Sequence, residues 1–326
     1  MEMNGADGLS VANVYAGDLD GNMWKFDVSD ANPSNWESAF TSGGNPQPLF
    51  VAVDRAGDRQ PITAAPTLVR TPSGDVVVYF GTGKFFETGD ATVSSNPQLR
   101  TFYTVVEDRP DLDPLADFNI GSPGTRANLV DIRLAQELTD SGFVVRRFDN
   151  TTVPGRLGTG WFIDLALDVN NPTGERVVAT PRVDFGTLLF TTFEPTNTPC
   201  LPGGIPRLYI LDAFTGEAAL ASNDHSCTDC VGLELTTGAP LVPPVVIDQT
   251  GEETVQDCYD NPGGAGCFCI LNPGDASCTS QPVDPIISAC PLGSRPVVVI
   301  DPVTRTRIPI GCTREGRAKW GQKELY

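Results

Sequence analysis

Asp18, Asp20 and Asn22 stand at alternate positions, the spacing in which oxygen side chains can surround a hard cation such as calcium. In a calcium loop glycine follows the third of these ligands, whereas here Gly21 precedes Asn22. A hairpin turn explains them better, with Asp20-Gly21 as a two-residue type I′ turn between a strand at 14–16 and another carrying Met23, Trp24 and Phe26. A second constellation is His225-Ser226-Cys227-Thr228-Asp229-Cys230, which could begin a zinc site. Its later partners, Cys258, Cys267, Cys269, Cys278, Cys290 and Cys312, follow no pairing of C-x-x-C units, so disulfides are the preferred reading. The disulfide candidates are these six with Cys227 and Cys230; Cys200 is the candidate for the unpaired ninth cysteine, and the connectivity stays open.

Other patterns point away from chemistry. Gly81-Thr82-Gly83-Lys84 lacks the four residues a phosphate loop needs between its first Gly and the Gly-Lys pair, and reads as a strand end that turns sharply. Asp111, Asp113 and Asp117 read as solvated charge in a proline-rich loop. The single histidine is His225, no Gly-x-Ser-x-Gly elbow occurs, and nothing singles out a catalytic pair among 41 acidic residues.

These residues must be positioned by strands. The 326 residues contain 33 Gly and 28 Pro, which predicts many turns and few long helices. Apolar runs at 49–53, 62–69, 76–80, 101–106, 142–148, 160–167 and 207–212 read as strands, with two more inside 175–195. Residues 128–139 fit either a helical turn or a strand, and Trp24, Trp161 and Trp320 are read as blade core. A loose repeat, apolar strand followed by Asp-x-x-Thr or Asp-x-x-Gly, recurs around Asp27, Asp212 and Asp301 without a fixed period. The organisation expected is propeller blades over 1–221, a Cys-rich, disulfide-stapled insertion at 222–294, and closing strands at 295–326.

A net charge of −19 argues against a nucleic-acid partner, because binding there needs cations that displace counterions from phosphate. No apolar run approaches the roughly 18 residues that span a bilayer. The opening Met1-Glu2-Met3-Asn4-Gly5 has no signal-peptide character, yet eight of nine cysteines follow residue 226, as in oxidising compartments. An exported domain that has lost its leader reconciles the two.

The stretches VYAGDLDGNMWKFDVSD (14–30), QPITAAPTL (60–68), VVVYFGTGKFFETGD (76–90), GWFIDLAL (160–167), GERVVATPRV (174–183) and LLFTTFEPTNTPCLPGGIPRLYILDAFTG (188–216) resemble, in one order, the PilY family of type IV pilus tip-associated adhesins and biogenesis factors. Gly316-Arg317 and Trp320 are similar to the family's final strand, and 222–294 has no counterpart. The resemblance implies an all-β, modified (quinoprotein-like) β-propeller from the C-terminal part of such a protein. The family propeller is longer than this chain, which leaves open a propeller short of its early blades. It also implies a non-enzymatic module at a pilus tip or cell surface, exported through the periplasm. Its partners would be minor pilins of the tip complex, a host or abiotic surface ligand, and the N-terminal domain of a longer PilY-like chain. Family members carry a calcium loop just before the hairpin; here only Asn4, Asp7 and Gly8 match it, at the wrong spacing. Calcium is therefore expected, at most, from Asn4, Asp7, Asp18 and Asp20, against a plain polar turn. The 222–294 insertion is the expected adhesive surface. The competing reading is a periplasmic propeller enzyme, a quinoprotein-like dehydrogenase or a hydrolase; a third is a structural subunit whose strand edges another chain completes.

Overall fold

Val76–Gly81 and Thr101–Glu107 are the two longest apolar runs of the first half, and they pair antiparallel, from Val76 opposite Glu107 to Gly81 opposite Phe102. Thr67–Arg70 and Gly160–Asp164 extend this pair on either side into a central sheet. Alternate side chains of a strand point to opposite faces, and here both faces are apolar. Val77, Tyr79, Phe102, Trp161 and Ile163 face a third sheet, while Val78, Phe80, Tyr103, Val105 and Phe162 face a first one. Every residue of Thr101–Glu107 is buried.

The computed structural model describes residues 2–4, 11–71, 74–107, 123–140, 143–149, 158–184, 186–196, 204–219, 229–235, 245–248, 294–300 and 307–314. The first sheet holds Glu2–Asn4, Val11–Gly17, Asn22–Asp27, Phe50–Val51 and Gly124–Thr125 in that order, with Glu37–Ser38 beside Asn22–Asp27. The third runs Leu134–Asp140, Phe143–Phe148, Cys230–Glu234, Gly204–Asp212, Thr187–Pro195 and Arg182–Asp184. Val245–Asp248, Ser294–Ile300 and Arg307–Arg314 make a separate antiparallel sheet. No α-helix occurs among the described residues.

The hand-over from sheet to sheet is repeated. Ile62-x-Ala64-x-Pro66 leads into the central sheet and Val177-x-Ala179-x-Pro181 into the third. Ile62 N donates to Asp18 O at 2.9 Å, and Val177 N donates to Thr82 O at 3.0 Å. In both cases the branched side chain stands over the glycine just before the acceptor. A Cβ on Gly17 would lie 2.3 Å from Ile62 Cγ2, and one on Gly81 2.2 Å from Val177 Cβ. Gly81, where the strand ends as read, is thus also held by close approach. The predicted strand at 62–69 begins only at Thr67, because Ile62 bonds the preceding sheet and Pro66 has no N–H to give.

One connection stitches the three sheets. After Thr101–Glu107 the chain returns with Gly124–Thr125 parallel to Phe50–Val51 in the first sheet, then Val130–Ile132 parallel to Gly160–Asp164 in the second. It continues as the Leu134–Asp140/Phe143–Phe148 hairpin, which joins the third sheet through Cys230–Glu234. Residues 128–139 are therefore mainly two strands, preceded by a 3-10 turn at Arg126–Asn128. Most of the proline-rich stretch read as a loop lies outside the described residues. Trp161 is fully buried as expected, Trp24 is half-buried and stacks on Phe26, and Trp320 lies outside the described residues.

Gly81→Ala should destabilise the chain by about 1–3 kcal/mol through overpacking. Val177→Ala in the same molecule should recover part of that loss. Urea unfolding of both variants checks this, and simple additivity of the two changes would contradict it.

Candidate functional site

The turn that closes the first hairpin is built by Asp18. Gly21 N donates to Asp18 O at 3.3 Å, so Leu19 and Asp20 are the central residues and Gly21 follows at φ +76°. This three-residue loop replaces the predicted two-residue turn at Asp20-Gly21, and the reason lies in the Asp18 side chain. Its Oδ1 accepts from Asp20 N (2.9 Å) and Asn22 N (2.8 Å); its Oδ2 accepts from Asn22 Nδ2 and Trp24 Nε1, both at 2.8 Å. Burial pushes its pKa up, but the hydrogen bonds from Asn22 and Trp24 outweigh that and hold the carboxyl below its ordinary range.

The same device recurs at Asp54, whose Oδ1 accepts from Ala56 N and Asp58 N at 2.9 Å, with Gly57 at φ +91°. At Asp212, Oδ1 accepts from Phe214 N and Thr215 N at 2.9 Å, with Gly216 at φ +72°. An Asp that caps a turn closed by a positive-φ Gly is thus a repeated unit, Asp-x-x-Gly at Asp18 and Asp54 and Asp-x-x-Thr-Gly at Asp212, and Asp54 is a member that the sequence reading missed.

With four N–H donors on its two oxygens, Asp18 caps the turn. Asp20 is exposed on the same turn. Asn4 lies at a register break at the edge of the first sheet, opposite Val11, and Asp7 lies outside the described residues. Among the described residues no three His, Cys, Asp or Glu side chains group as a metal site.

Of the cysteines, Cys230 is buried in the third sheet and disulfide-bonded. Cys312 stands on the strand Arg307–Arg314 opposite Pro296. Cys227, Cys258, Cys267, Cys269, Cys278 and Cys290 lie outside the described residues, as do Cys200, His225 and Asp7. Within 222–294, Cys230–Glu234 is a strand of the third sheet and Val245–Asp248 a strand of the separate one.

Among the described residues, three networks of interior charge join separate segments of the chain. Glu175, fully buried, receives Arg146 Nη1 at 2.5 Å and Arg207 Nη1 at 3.4 Å on Oε2, and Thr192 Oγ1 (2.5 Å) and Tyr209 Oη (3.1 Å) on Oε1. Arg207 also meets Glu194 at 2.7 Å, and Arg146 meets Glu137 at 3.1 Å. Burial alone would raise the Glu175 pKa, but Arg146 and Arg207 reverse it and the net shift is downward. Asp164 receives Arg126 Nη2 on both oxygens (3.0 and 2.8 Å), Arg55 Nε at 2.7 Å and Thr101 Oγ1 at 2.8 Å. Glu107, at the end of the central sheet, accepts from Tyr15 Oη and Lys25 Nζ of the first sheet. Each carboxylate ties at least two segments of chain together, and its oxygens are already engaged by donors. Lys84, the lysine of the Gly-rich stretch, pairs with Glu87 at 2.5 Å and Asp90 at 3.6 Å.

The family profile of the PilY1 beta-propeller domain matches residues 2–147. A type IV pilus biogenesis factor PilY1 homolog of Xylella fastidiosa is 32% identical over 97% of this chain. The type IV pilus biogenesis factor PilY1 of Pseudomonas aeruginosa PAO1 is 31% identical over 65% of it. The chain spans 20% of the length of each of these curated relatives. Among solved structures, the crystal structure of the Pseudomonas aeruginosa PilY1 C-terminal domain superposes with a TM-score of 0.59 at 23% identity. It covers 78% of this chain and 57% of that one. The fold is therefore all-β of the propeller type.

Glu175→Gln should cost about 3–5 kcal/mol, because it leaves Arg146 and Arg207 without their shared counter-charge. The folded pKa of Glu175 is depressed, so its stabilisation is present above the ordinary Glu value of about 4.3 and is lost as pH falls through the folded value. Denaturant unfolding against pH should show this acid-side loss, diminished in the variant. Asp54→Ala should cost about 1–2 kcal/mol by removing the turn cap, with Asp54→Asn recovering most of it in the same assay.

Proposed function

We propose, from the premise that this chain belongs to the PilY family of type IV pilus biogenesis factors, that it is the non-enzymatic propeller scaffold of such a factor. In this reading it contacts minor pilins in a pilus-tip complex and presents loops that attach the tip to a host or abiotic surface. The observation that carries the reading is the identity running through almost the whole chain to the Xylella fastidiosa homologue. Two features support it. The interior carboxylates are engaged in joining sheets, so the exposed turns and loops between strands are the parts free to bind. The disulfide at Cys230 suits a protein exported through an oxidising periplasm.

The Cys-rich 222–294 stretch is the proposed adhesive surface, and the N-terminal part of a longer PilY-like chain is the proposed covalent neighbour. Bound to the tip complex, the scaffold would bias pilus extension against retraction. A calcium role in that balance would draw on Asn4, Asp7, Asp18 and Asp20.

The immobilised, oxidised chain should retain purified minor pilins and should compete with intact cells for surface attachment. Replacing 236–293 with a short Gly-Ser linker should abolish the competition while leaving pilin capture intact. Loss of neither, or absence of capture by the unaltered chain, would contradict the reading.

A further inference from the structure

The three interior networks differ in one chemical respect. Glu175 and Asp164 meet guanidinium groups, which stay protonated and are no nucleophiles, whereas Glu107 meets the primary amine of Lys25. The two side chains come from different sheets. Lys25 lies on Asn22–Asp27 and Glu107 ends Thr101–Glu107, 82 residues apart in the chain.

Its surroundings set this pair apart from a surface ion pair. Glu107 keeps only 4% of its side chain exposed, and Lys25 18%. The Tyr15 and Phe40 rings lie 5.8 and 5.6 Å from Nζ and shield it from water. The second oxygen of Glu107 accepts from the buried Tyr15 Oη. Burial first, and Glu107 second, push the Tyr15 pKa far above its usual value, so the hydroxyl keeps its proton and stays a donor. Lys84, by contrast, meets Glu87 at the surface, where water solvates both charges. Ring faces favour an ammonium, so the Lys25 amine is freed by handing its proton to Glu107 itself.

We propose that Lys25 and Glu107 are a self-modifying pair that closes into an amide bond, an isopeptide link between the first and central sheets. One proton passes from Lys25 Nζ to Glu107 Oε1, because a buried neutral pair costs less to desolvate than two charges. The Nζ lone pair then attacks Cδ, with both groups held in place by the packing of the two sheets. As the N–C bond forms, the negative charge developing on Oε2 is held by the Tyr15 hydroxyl. A second Nζ proton passes to Oε1, the Cδ–Oε1 bond breaks and water leaves, with the last N–H kept on the amide. The step consumes no oxidant or co-reactant. It stands independently of the pilus reading.

The test is the intact mass of the full chain, reduced and unfolded in acid so that the disulfides are open. It should lie one water below the mass of the sequence. Digestion should give a branched peptide that joins the Lys25 and Glu107 segments, with no tryptic cleavage after Lys25. Lys25→Arg keeps the charge but offers no amine, so it should show the full mass. It should also melt at a lower temperature, because closure removes freedom from an unfolded loop of 82 residues. Tyr15→Phe should leave the folded chain mostly open when isolated, since one donor aimed at a developing oxyanion is worth ~100-fold in rate. A folded chain of full mass would overturn the proposal. So would a missing water that persists in Lys25→Arg or maps to another pair of residues, or complete closure in Tyr15→Phe.

Discussion

Phe102 stacks on Phe190 at 3.8 Å on one side of the central sheet, and the next residue, Tyr103, meets Phe50 at 5.1 Å on the other. Two adjacent residues of one strand thereby anchor two separate cores. Toward the third sheet the stack runs from Trp161 through Phe102 and Phe190 to Tyr209; toward the first it gathers Phe50, Phe80, Tyr103 and Phe162. A strand buried on both faces cannot slip by one residue, since every side chain would then move into the wrong core. The registers of the neighbouring sheets inherit that restriction. So does the spacing of the sheets, which Gly17 and Gly81 set by letting Ile62 and Val177 come closer than any Cβ would allow.

Charge is placed to serve the same packing. Tyr209 ends the aromatic stack with its hydroxyl on Glu175, and Glu175 gathers Arg207 from the same strand as Tyr209 and Arg146 from Phe143–Phe148. Asp164 does the equivalent work between the 52–60 loop, the connection at Arg126 and the central sheet. Such groups add specificity more than raw stability, because desolvation offsets much of the attraction. What they decide is which segments meet.

The strands were legible because their composition and alternation are local. Val76 to Phe80 and Arg207 to Asp212 read as strands from their residues alone, and Trp161 read as core. Non-local pairings were not legible. Nothing within residues 124–148 announces that three short pieces of one connection will join three different sheets. Glu175 likewise meets Arg146 and Arg207, 29 and 32 residues away in the chain, and such a meeting depends on the fold. The hairpin turn is legible from Asp20-Gly21, but the signal for its three-residue length is the glycine three residues after Asp18. Asp54-x-x-Gly57 carries that signal too.

A scaffold fixed in this way leaves its loops as the variable parts, the arrangement that attachment and assembly require. The central claim is that this propeller segment supplies the role its relatives' names describe. The most direct measurement is a segment exchange: replacing the matching fifth of the Xylella fastidiosa homologue with this chain, in cells lacking that homologue, and counting surface pili. The account predicts that piliation returns with the exchanged protein and is lost again when Glu175→Gln destabilises the segment. An exchanged protein that is exported and folded yet restores no pili would contradict it.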